Sequence, residues 1–500
     1  MKVFLINGIL LTIGSFLLRG IGMSFQIYIS NKIGAEGIGV YQLILSVFLF
    51  SVTLASSGIN LASTRIVSEE LAKNDILGSQ KAIKHCIIYS FLMGFLAFCI
   101  LFFSADTIAK ISFHGKVSGF PLKLMAISLP FLSTSSAING YFTAKRKIVK
   151  VISFQFLEQI LQIFVVIYLL NFLLPPGLES ACLALVLGSI LSEILSTCYS
   201  YFMYRLDIYK KENLPCQKSF FRKIFGITIP VTSTSCIRSG LSTLKQLLVP
   251  TRLEKFGASC ETALAQYGII SGMVMPIILF PSALISSFSS LLIPEFTNLS
   301  VNKRNVFMNK TISKVFKITI LFSLGITGVF FTFSHQINEF LYPGTLISPY
   351  LKLISIIIVI MYLDTVIDNI LKSLNKQVSV MLCNILDAFI SLTIIFFLLP
   401  IYGVYGYIIS IFVSEFLNFC VSLWTLLRTC NTKNDKIKID FVHTILKPIL
   451  SLFLLYFFFT YFSFPIHSIF GLLGNIFLFF VLYLGLLFFT SCLSKHELSL

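Results

Sequence analysis

Long apolar segments recur along the whole 500-residue chain and constrain its fold more than any other feature. A segment of about 18 apolar residues or more can cross the ~30 Å hydrocarbon core of a bilayer as a helix. Only 12% of the residues are charged, against about 25% in soluble domains. The chain therefore lacks the polar residues that would cover a soluble surface. The pattern predicts an all-α polytopic membrane protein with about fourteen transmembrane helices.

The predicted helices are numbered 1 to 14 in chain order. They lie at residues 4–29, 38–61, 86–103, 120–142, 151–173, 181–204, 224–250, 264–292, 315–334, 346–371, 379–399, 404–427, 443–463 and 466–491.

Basic residues concentrate in alternate loops between these helices. The loops after even-numbered helices, with the first residues of the helices that follow them, and the two chain ends hold 28 of the 38 Lys and Arg residues, and the opposite loops hold 5. Because cytoplasmic loops are enriched in Lys and Arg, both termini are expected in the cytoplasm of a multi-pass cell-membrane protein. The net charge of +17 is interpreted as this topology signal, so nucleic-acid binding is not expected.

Short patterns recur at offsets of 219 to 229 residues. The matched pairs are Arg19 with Arg238, Asn139 with Asp368, Glu158 with Asp387, and Glu193 with Glu415. They predict two six-helix lobes, at 1–210 and 211–430, that form a parallel repeat about a pseudo-two-fold axis along the membrane normal. Helices 13 and 14, in 431–500, lie outside the repeat. Transporters built in this way bind substrate between the lobes and rock one lobe against the other.

Three basic residues interrupt the apolar segments of helices 1 and 7: Arg19, Arg238 and Lys245. A charge at the centre of a membrane helix costs about 2.5–3.5 kcal/mol, so such residues are functional candidates. One interpretation is a basic cavity lining that binds an anionic group such as phosphate. The alternative is an internal ion pair with Glu158 or Glu193 that stabilises the lobe, and both can hold.

Acidic residues also lie within the predicted helices. They are Glu158, Glu193, Asp364, Asp387 and Glu415. We expect them to be ion-pair partners of the basic residues, or cavity acids that carry a coupling proton. Asp368 is expected to pair with Lys372 one helical turn away.

Helix 8 contains Pro276 and Pro281. A proline inside a membrane helix bends it, so these two residues are either hinges for alternating access or static bends. The eleven Cys residues include no C-x-x-C pair, and the six His residues show no metal spacing. No metal, disulfide or cofactor is therefore expected. The sequence contains no recognisable nucleophile–base pair, so an enzyme is not expected.

Several short motifs are distributed over both predicted lobes. They include Arg19-Gly20-Ile21-Gly22, residues 34–43, Gly58-Ile59-Asn60-Leu61-Ala62 followed by Arg65, residues 249–253, residues 267–273, and Pro276 with Pro281. These motifs resemble the family of stage V sporulation protein B and its polysaccharide-flippase relatives. That family belongs to the multidrug/oligosaccharidyl-lipid/polysaccharide (MOP) exporter superfamily. The chain departs from the family pattern at Asn60, often Pro, and at Met275, often Leu.

The resemblance implies a cationic central cavity, like that of lipid II flippases, with a groove for the lipid tail on helices 13 and 14. The implied substrate is a lipid-linked peptidoglycan precursor needed for spore cortex synthesis. We therefore predict a flippase for an undecaprenyl-pyrophosphate-linked sugar. Its headgroup would bind to Arg19, Arg65, Arg238 and Lys245. Membrane lipid and cell-wall synthesis proteins are the expected partners.

Two other functions fit the same fold. The first is a cation or drug antiporter, which needs acidic residues at the cavity, and Asp364, Asp387, Glu158 or Glu415 could serve. The second is a non-transporting membrane scaffold in cell-wall synthesis. The sign of the cavity charge discriminates the first alternative from a lipid flippase, because a basic cavity favours phosphate and an acidic cavity favours cations.

Overall fold

The computed structural model describes residues 2–112, 118–173, 177–208, 219–301, 305–430, 440–462 and 468–493, and these ranges contain helices and no strand. Contacts divide the chain into two compact units. Unit 1 comprises Met1–Phe25 and Lys32–Gly268, and unit 2 comprises Gln26–Asn31 and Ile269–Leu500. Loop segments 209–218, 302–304 and 431–439, which carry part of the basic residues that predict orientation, lie outside the described residues.

Unit 1 contains most of the first helix and the eight helices that follow it. They are α1 (Lys2–Ser56), α2 (Ile59–Ala72), α3 (Ile76–Ser112), α4 (Phe120–Ala126), α5 (Leu129–Ala144), α6 (Ile148–Tyr168) with a π-helical end (Leu169–Leu173), α7 (Leu178–Asp207), α8 (Phe221–Lys255) and α9 (Cys260–Tyr267).

Unit 2 contains ten helices. After a π-helical stretch (Gly268–Val274) they are α10 (Met275–Leu279), α11 (Ser282–Leu291), α12 (Ile293–Val301), α13 (Asn305–Leu341), α14 (Ser348–Ser355), α15 (Ile358–Ser373), α16 (Gln377–Tyr402), α17 (Val404–Cys430), α18 (Lys447–Tyr461) after a π-helical turn (Val442–Leu446), and α19 (Ile469–Phe489).

The predicted transmembrane segments are helical in the described ranges, but not all of them qualify as candidate spans by length and composition. Ten helices qualify, or eleven if the bent pair of α14 and α15 forms one span. Predicted helices 1 and 2 merge into one stretch, Ile13–Ala72. Predicted helix 4 is split into α4 and α5. Helix α8, which corresponds to predicted helix 7, is too polar to qualify as a candidate span. The count of fourteen remains a prediction.

A single glycine breaks α1 between predicted helices 1 and 2. Gly34 has φ 73° and ψ 178°, which is outside the helical region. A positive φ is readily available only to residues without a side chain. The break therefore divides α1 into two shorter helices at the position that the sequence predicts for a loop.

The core of unit 1 is aromatic at one end of the helices. Tyr141, Phe142, Phe154 and Tyr204 are buried and make edge-on ring contacts. Beside this core, Asp207 at the end of α7 binds a cluster of lysines at the junction of α5 and α6. The lysines are Lys145 at 2.8 Å, Lys150 at 3.6 Å, and Lys147. The cluster fixes the α5–α6 connection to the last turn of α7.

Helix α1 crosses the end of α9 at van der Waals distance through two glycines. A Cβ atom on Gly39 would lie 2.1 Å from the carbonyl oxygen of Leu264, and one on Gly268 would lie 2.1 Å from the carbonyl oxygen of Ala35. Any side chain at either position would force the two backbones apart. This crossing fixes Tyr267, the residue before Gly268, against the rest of unit 1.

Prolines divide predicted helix 8 into short helices, and side chains replace the missing backbone hydrogen bonds. Pro276 has no N–H for the carbonyl of Gly272, which accepts a hydrogen bond from Gln26 Nε2 at 3.1 Å. Near the break at Pro281, the hydroxyl of Tyr362 donates to the carbonyl of Ile278 at 2.7 Å. Buried carbonyls in a membrane need such partners. Whether these two prolines act as hinges remains a prediction.

Helices α18 and α19, the predicted helices 13 and 14, pack on α13 of unit 2. Gly325 and Gly328 of α13 leave space for Tyr483, Phe479 and Leu452. The hydroxyl of Tyr483 donates to the carbonyl of Leu321 at 3.1 Å. The outer faces of α18 and α19 expose large apolar side chains, as expected for lipid contact.

Candidate functional site

A cavity of about 480 Å³ lies within unit 1 between the second half of α1 and the middle of α8. Most of the residues that line it carry a hydroxyl or an amide group. The lining residues are Ser46, Leu49, Val52, Thr53, Ser56, Ser57, Ser235, Arg238, Ser239, Ser242, Thr243 and Gln246. Arg238 is the one charged residue among them, and no carboxylate lines the cavity.

Arg238 stands near the middle of the 35-residue helix α8. Its side chain is exposed to the cavity. Among the residues that the structure describes, no carboxylate oxygen lies within 4.0 Å of its guanidinium. The guanidinium presents up to five N–H donors in a planar fork that matches phosphate oxygens. The cavity therefore offers a positive charge that no acidic side chain in the described ranges neutralises directly.

Several hydroxyl groups of the lining are oriented by bonds to backbone carbonyls. Thr243 Oγ1 donates to the carbonyl of Ser46 at 2.9 Å, and Ser56 Oγ donates to the carbonyl of Val52 at 2.8 Å. Thr53 Oγ1 lies 3.2 Å from Ser239 Oγ, which joins α1 to α8 across the cavity wall. Hydroxyls whose protons are bound in this way keep oxygen lone pairs as acceptors.

Gln246 forms the end of the lining and contacts a buried tyrosine behind it. The hydroxyl of Tyr267, which is fully buried, donates to Gln246 Oε1 at 3.0 Å. Gln246 and the hydroxyl residues of the lining are not among the residues predicted from the sequence. Small polar residues recur every three or four positions along α8, at Ser235, Ser239 and Ser242, and this spacing was the signal for them.

The other predicted headgroup residues lie in unit 1 but outside the cavity lining. Arg19 is exposed on α1, and none of the described carboxylates lies within 4.0 Å of it. Arg65 on α2 is exposed and pairs with Glu69 at 3.1 Å, and Lys223 lies 3.5 Å from the same carboxylate. Lys245 is half-buried beside Gln246. Their part in headgroup binding remains a prediction.

The two glutamates of the predicted first lobe contact each other rather than a basic residue. The carboxyl groups of Glu158 on α6 and Glu193 on α7 are within hydrogen-bonding contact. Thr197 Oγ1 lies 3.4 Å from Glu193 Oε1, and Gln162 Nε2 donates to Ser189 Oγ at 2.9 Å. These polar contacts join α6 to α7 in an apolar environment, as hydrogen-bonding side chains do in other membrane proteins. No ion pair between Arg19 and either glutamate is found in the described ranges.

Acidic residues of the predicted second lobe lie near Asp364 in unit 2. Asn418 Nδ2 donates to Asp364 Oδ2 at 2.9 Å, and both side chains are buried. Asp387 and Glu415 lie within electrostatic range of Asp364. Asp368 Oδ2 lies 3.9 Å from Lys372 Nζ, so the predicted pair one turn apart is present. In the ranges that the structure covers, no group of three His, Cys, Asp or Glu residues could hold a metal ion.

Comparison with known proteins gives the family of the chain. The family described as "Polysaccharide biosynthesis protein" matches residues 4–300. Stage V sporulation protein B of Bacillus subtilis (strain 168) is 23% identical over 422 residues, which cover 82% of this chain and 81% of that protein. Lipid II flippase MurJ of the same organism is 24% identical over 397 residues, which cover 73% of this chain and 72% of that protein.

A solved structure has a similar fold. The structure described as "Lipid II flippase MurJ, inward closed conformation" has a TM-score of 0.72 at 14% identity and covers 96% of this chain and 98% of its own. At that identity the likeness shows the fold alone, which is the expected all-helical polytopic fold. The family match spans more than half of the residues. The chain therefore belongs to the polysaccharide biosynthesis protein family, and it is similar to lipid II flippases in sequence and in fold.

Proposed function

We propose that the protein flips an undecaprenyl-pyrophosphate-linked sugar of the lipid II class across the cell membrane by alternating access. The observation that carries the proposal is the single charge in the cavity of unit 1. Arg238 stands there among hydroxyl groups that can bind sugar oxygens. Arginine binds phosphate oxygens in a bidentate manner, with charge-assisted hydrogen bonds. The names of the two relatives support a cell-wall precursor as substrate, with a role in spore cortex synthesis.

The sign of the cavity charge favours a lipid phosphate over a cation or drug. A site for cations needs carboxylates at the substrate, whereas the lining contains one arginine and no acid. The acidic residues around Asp364 belong to unit 2 and are not part of this lining. The antiporter alternative would require the substrate to bind elsewhere.

Orientation and lipid-tail placement complete the proposal. Both termini are placed in the cytoplasm, because of the distribution of Lys and Arg between the loops. The polyprenyl tail would follow α18 and α19, whose outer faces expose residues such as Phe457 and Phe489 to lipid. The two predicted six-helix lobes would move against each other during transport.

The membrane potential is a sufficient driving force for this direction of transport. Moving one negative charge outward down an inside-negative potential releases about 2.3 kcal/mol per 100 mV. A pyrophosphate carries at least one such charge through the membrane. Transport could therefore proceed without a separate coupling ion.

The proposal is tested with the purified protein in liposomes that contain fluorescent lipid II. We expect flipping that exceeds that of protein-free liposomes and that accelerates when a potassium gradient imposes an inside-negative potential. A neutral glycolipid with the same tail serves as the control and should not respond. If lipid II does not flip in either condition, the protein is not a flippase for this substrate, and the scaffold alternative gains support.

Replacement of Arg19 by Gln is expected to slow lipid II flipping at least tenfold. The residue is exposed on a membrane helix with no acidic partner in the described ranges, so its charge is available to the substrate. Lys32→Gln removes one exposed charge from the same helix and is the matched control. Both variants should enter the membrane in normal amounts. Flipping by Arg19→Gln at the rate of the control would contradict a role of Arg19 in headgroup binding.

A further inference from the structure

Lys352 places a positive charge where three helices of unit 2 meet. It lies on α14, four residues after the helix begins, which is about 6 Å along the helix axis. Its Nζ atom lies 4.5 Å from the ring centroid of Phe331 on α13 and 5.6 Å from that of Tyr456 on α18. Both distances are in the range of cation–π contacts. The two rings therefore hold the ammonium group between α13, α14 and α18.

The ammonium group has no anionic protein partner in the described part of the chain. None of the carboxylate oxygens there lies within 4.0 Å of Lys352 Nζ, and no hydrogen-bond acceptor is found for it. The hydroxyl of Tyr456 has no hydrogen-bond partner among the same residues. Ring faces attract a cation but leave the three N–H donors of a lysine available to an oxygen ligand. Such a charge in a membrane segment is a candidate binding site.

A lysine at the matching position of unit 1 does have an acidic partner. Lys123 and Phe102 precede Lys352 and Phe331 by 229 positions, which is one of the offsets that relate the two predicted lobes. Lys123 Nζ lies 5.7 Å from the ring centroid of Phe102, so the cation–π contact is made in both units. In unit 1, however, Lys123 Nζ also binds Asp106 Oδ2 at 2.6 Å. The matching lysine is therefore neutralised by the protein itself.

A histidine takes the place of that acid in unit 2. His335 follows Asp106 by 229 positions and follows Phe331 by one helical turn. Its Nδ1 atom lies 3.3 Å from Glu339 Oε1, and both side chains are mostly exposed. Glu339 pairs with His335 and makes no ion pair with Lys352. Unit 2 thus keeps the lysine and its ring, while none of its described carboxylates neutralises the charge.

The surface beside the ammonium group has the polarity of a lipid molecule. Ile356 follows Lys352 by four positions and is 52% exposed, and Phe453 precedes Tyr456 by three positions and is 58% exposed. Helix α14 runs antiparallel to α13, and α18 runs parallel to it. Both exposed apolar residues therefore lie deeper in the membrane than the ammonium group. A headgroup near Lys352 would have its acyl chains along these side chains.

We propose that Lys352 and Tyr456 bind the phosphate of an anionic phospholipid in the leaflet at which α13 ends. The ammonium and the tyrosine hydroxyl donate hydrogen bonds to the phosphate oxygens, and the bonds from the ammonium are charge-assisted. A lysine with its stem on apolar surface and its charge at headgroup level is well suited to this role. Neither residue belongs to the cavity lining around Arg238, so the inference does not rest on the proposed function.

The test measures lipid affinity by native mass spectrometry of the full chain in detergent. We expect phosphatidylglycerol to bind about tenfold more tightly than diacylglycerol, which lacks the phosphate. Lys352→Met keeps the apolar stem and should weaken phosphatidylglycerol binding about tenfold. Lys352→Arg keeps the charge and should bind within about threefold of the native protein. Tyr456→Phe keeps the ring and loses only the hydroxyl, so a loss of about threefold is expected.

Two further variants separate lipid binding from a structural role of the cation–π contact. Lys123→Met removes the matching lysine, which Asp106 already neutralises, and should leave phosphatidylglycerol binding unchanged. His335→Asp leaves Lys352 in place and supplies the carboxylate that unit 1 has at the matching position. This internal anion should compete with the lipid phosphate and weaken phosphatidylglycerol binding about tenfold. A contact that only joins the helices would not respond in this way.

Glycerol 1-phosphate distinguishes a lipid site from a site for free phosphate. It carries the headgroup chemistry without acyl chains and should not displace phosphatidylglycerol from the native protein. Weak lipid binding by Lys352→Met and His335→Asp, with native binding by Lys123→Met, supports the inference. The inference is overturned if Lys352→Met binds phosphatidylglycerol as the native protein does, or if glycerol 1-phosphate displaces the lipid. These measurements require no transport, so a failure of the flippase proposal would not affect them.

Discussion

Replacement of Arg238 by Gln is expected to reduce lipid II flipping about a hundredfold. The substrate phosphate would enter the cavity without its positive charge and without the planar pair of N–H donors. Charge-assisted hydrogen bonds contribute about 1.5–3 kcal/mol each, and a hundredfold loss corresponds to about 2.7 kcal/mol. Glutamine keeps hydrogen-bonding capacity and most of the side-chain volume, so the cavity should remain intact. The rate of flipping in liposomes measures the effect.

Two further variants separate the effect of the charge at this position from the effect of the planar guanidinium. Arg222→Gln removes an exposed charge near the start of α8 and should flip lipid II at the native rate. Arg238→Lys keeps the charge but loses the planar fork, so an intermediate rate is expected. If Arg238→Gln transports at the rate of Arg222→Gln, the cavity of unit 1 is not the headgroup site. That outcome would remove the main support for the proposed function.

The second large effect is expected on stability, from Gly268→Ala. The added methyl group would lie 2.1 Å from the carbonyl oxygen of Ala35, and neither backbone can move without separating α1 from α9. Overpacking a well-packed core usually costs about 1–3 kcal/mol, and a contact with rigid backbone belongs at or above the upper end of that range. The unfolding temperature in detergent, followed by the loss of the monodisperse peak in size-exclusion chromatography, measures the effect.

Gly226→Ala is the matched control because it adds the same methyl group to α8 where no atom lies within 4 Å. Alanine is favoured over glycine in a helix by up to about 1 kcal/mol, so this variant should be as stable as the native protein or more so. The prediction fails if the two variants unfold at the same temperature.

The sequence was sufficient for the helical segments and for part of the candidate site. Membrane helices follow directly from long apolar segments, since the bilayer leaves few other structures for the backbone. Arg238 was identifiable because a charge in an apolar helix is expensive. The break at Gly34 also lies where a loop was predicted. In each case a strong local signal determines the structure.

Contacts between distant helices could not be predicted in the same way. The carboxyl groups of Glu158 and Glu193 face each other, although each was considered a partner for Arg19. Gln246 accepts a hydrogen bond from Tyr267, a residue on a different helix. Contacts of this kind depend on how helices rotate and cross, which is determined by packing of small residues such as Gly39. One sequence alone carries no signal for that geometry.

The polarity of α8 has a consequence for biogenesis. With Arg238, Lys245 and many hydroxyl residues, this helix is absent from the ten candidate spans of the described chain. Insertion through the translocon costs about 2.5–3.5 kcal/mol of free energy for each Arg or Lys at the centre of a helix. The hydroxyls of Thr232 and Thr243 on α8 donate to the carbonyl oxygens of Ser57, the residue after α1, and of Ser46 within α1. We therefore expect α1, which the ribosome supplies first, to stabilise the insertion of α8.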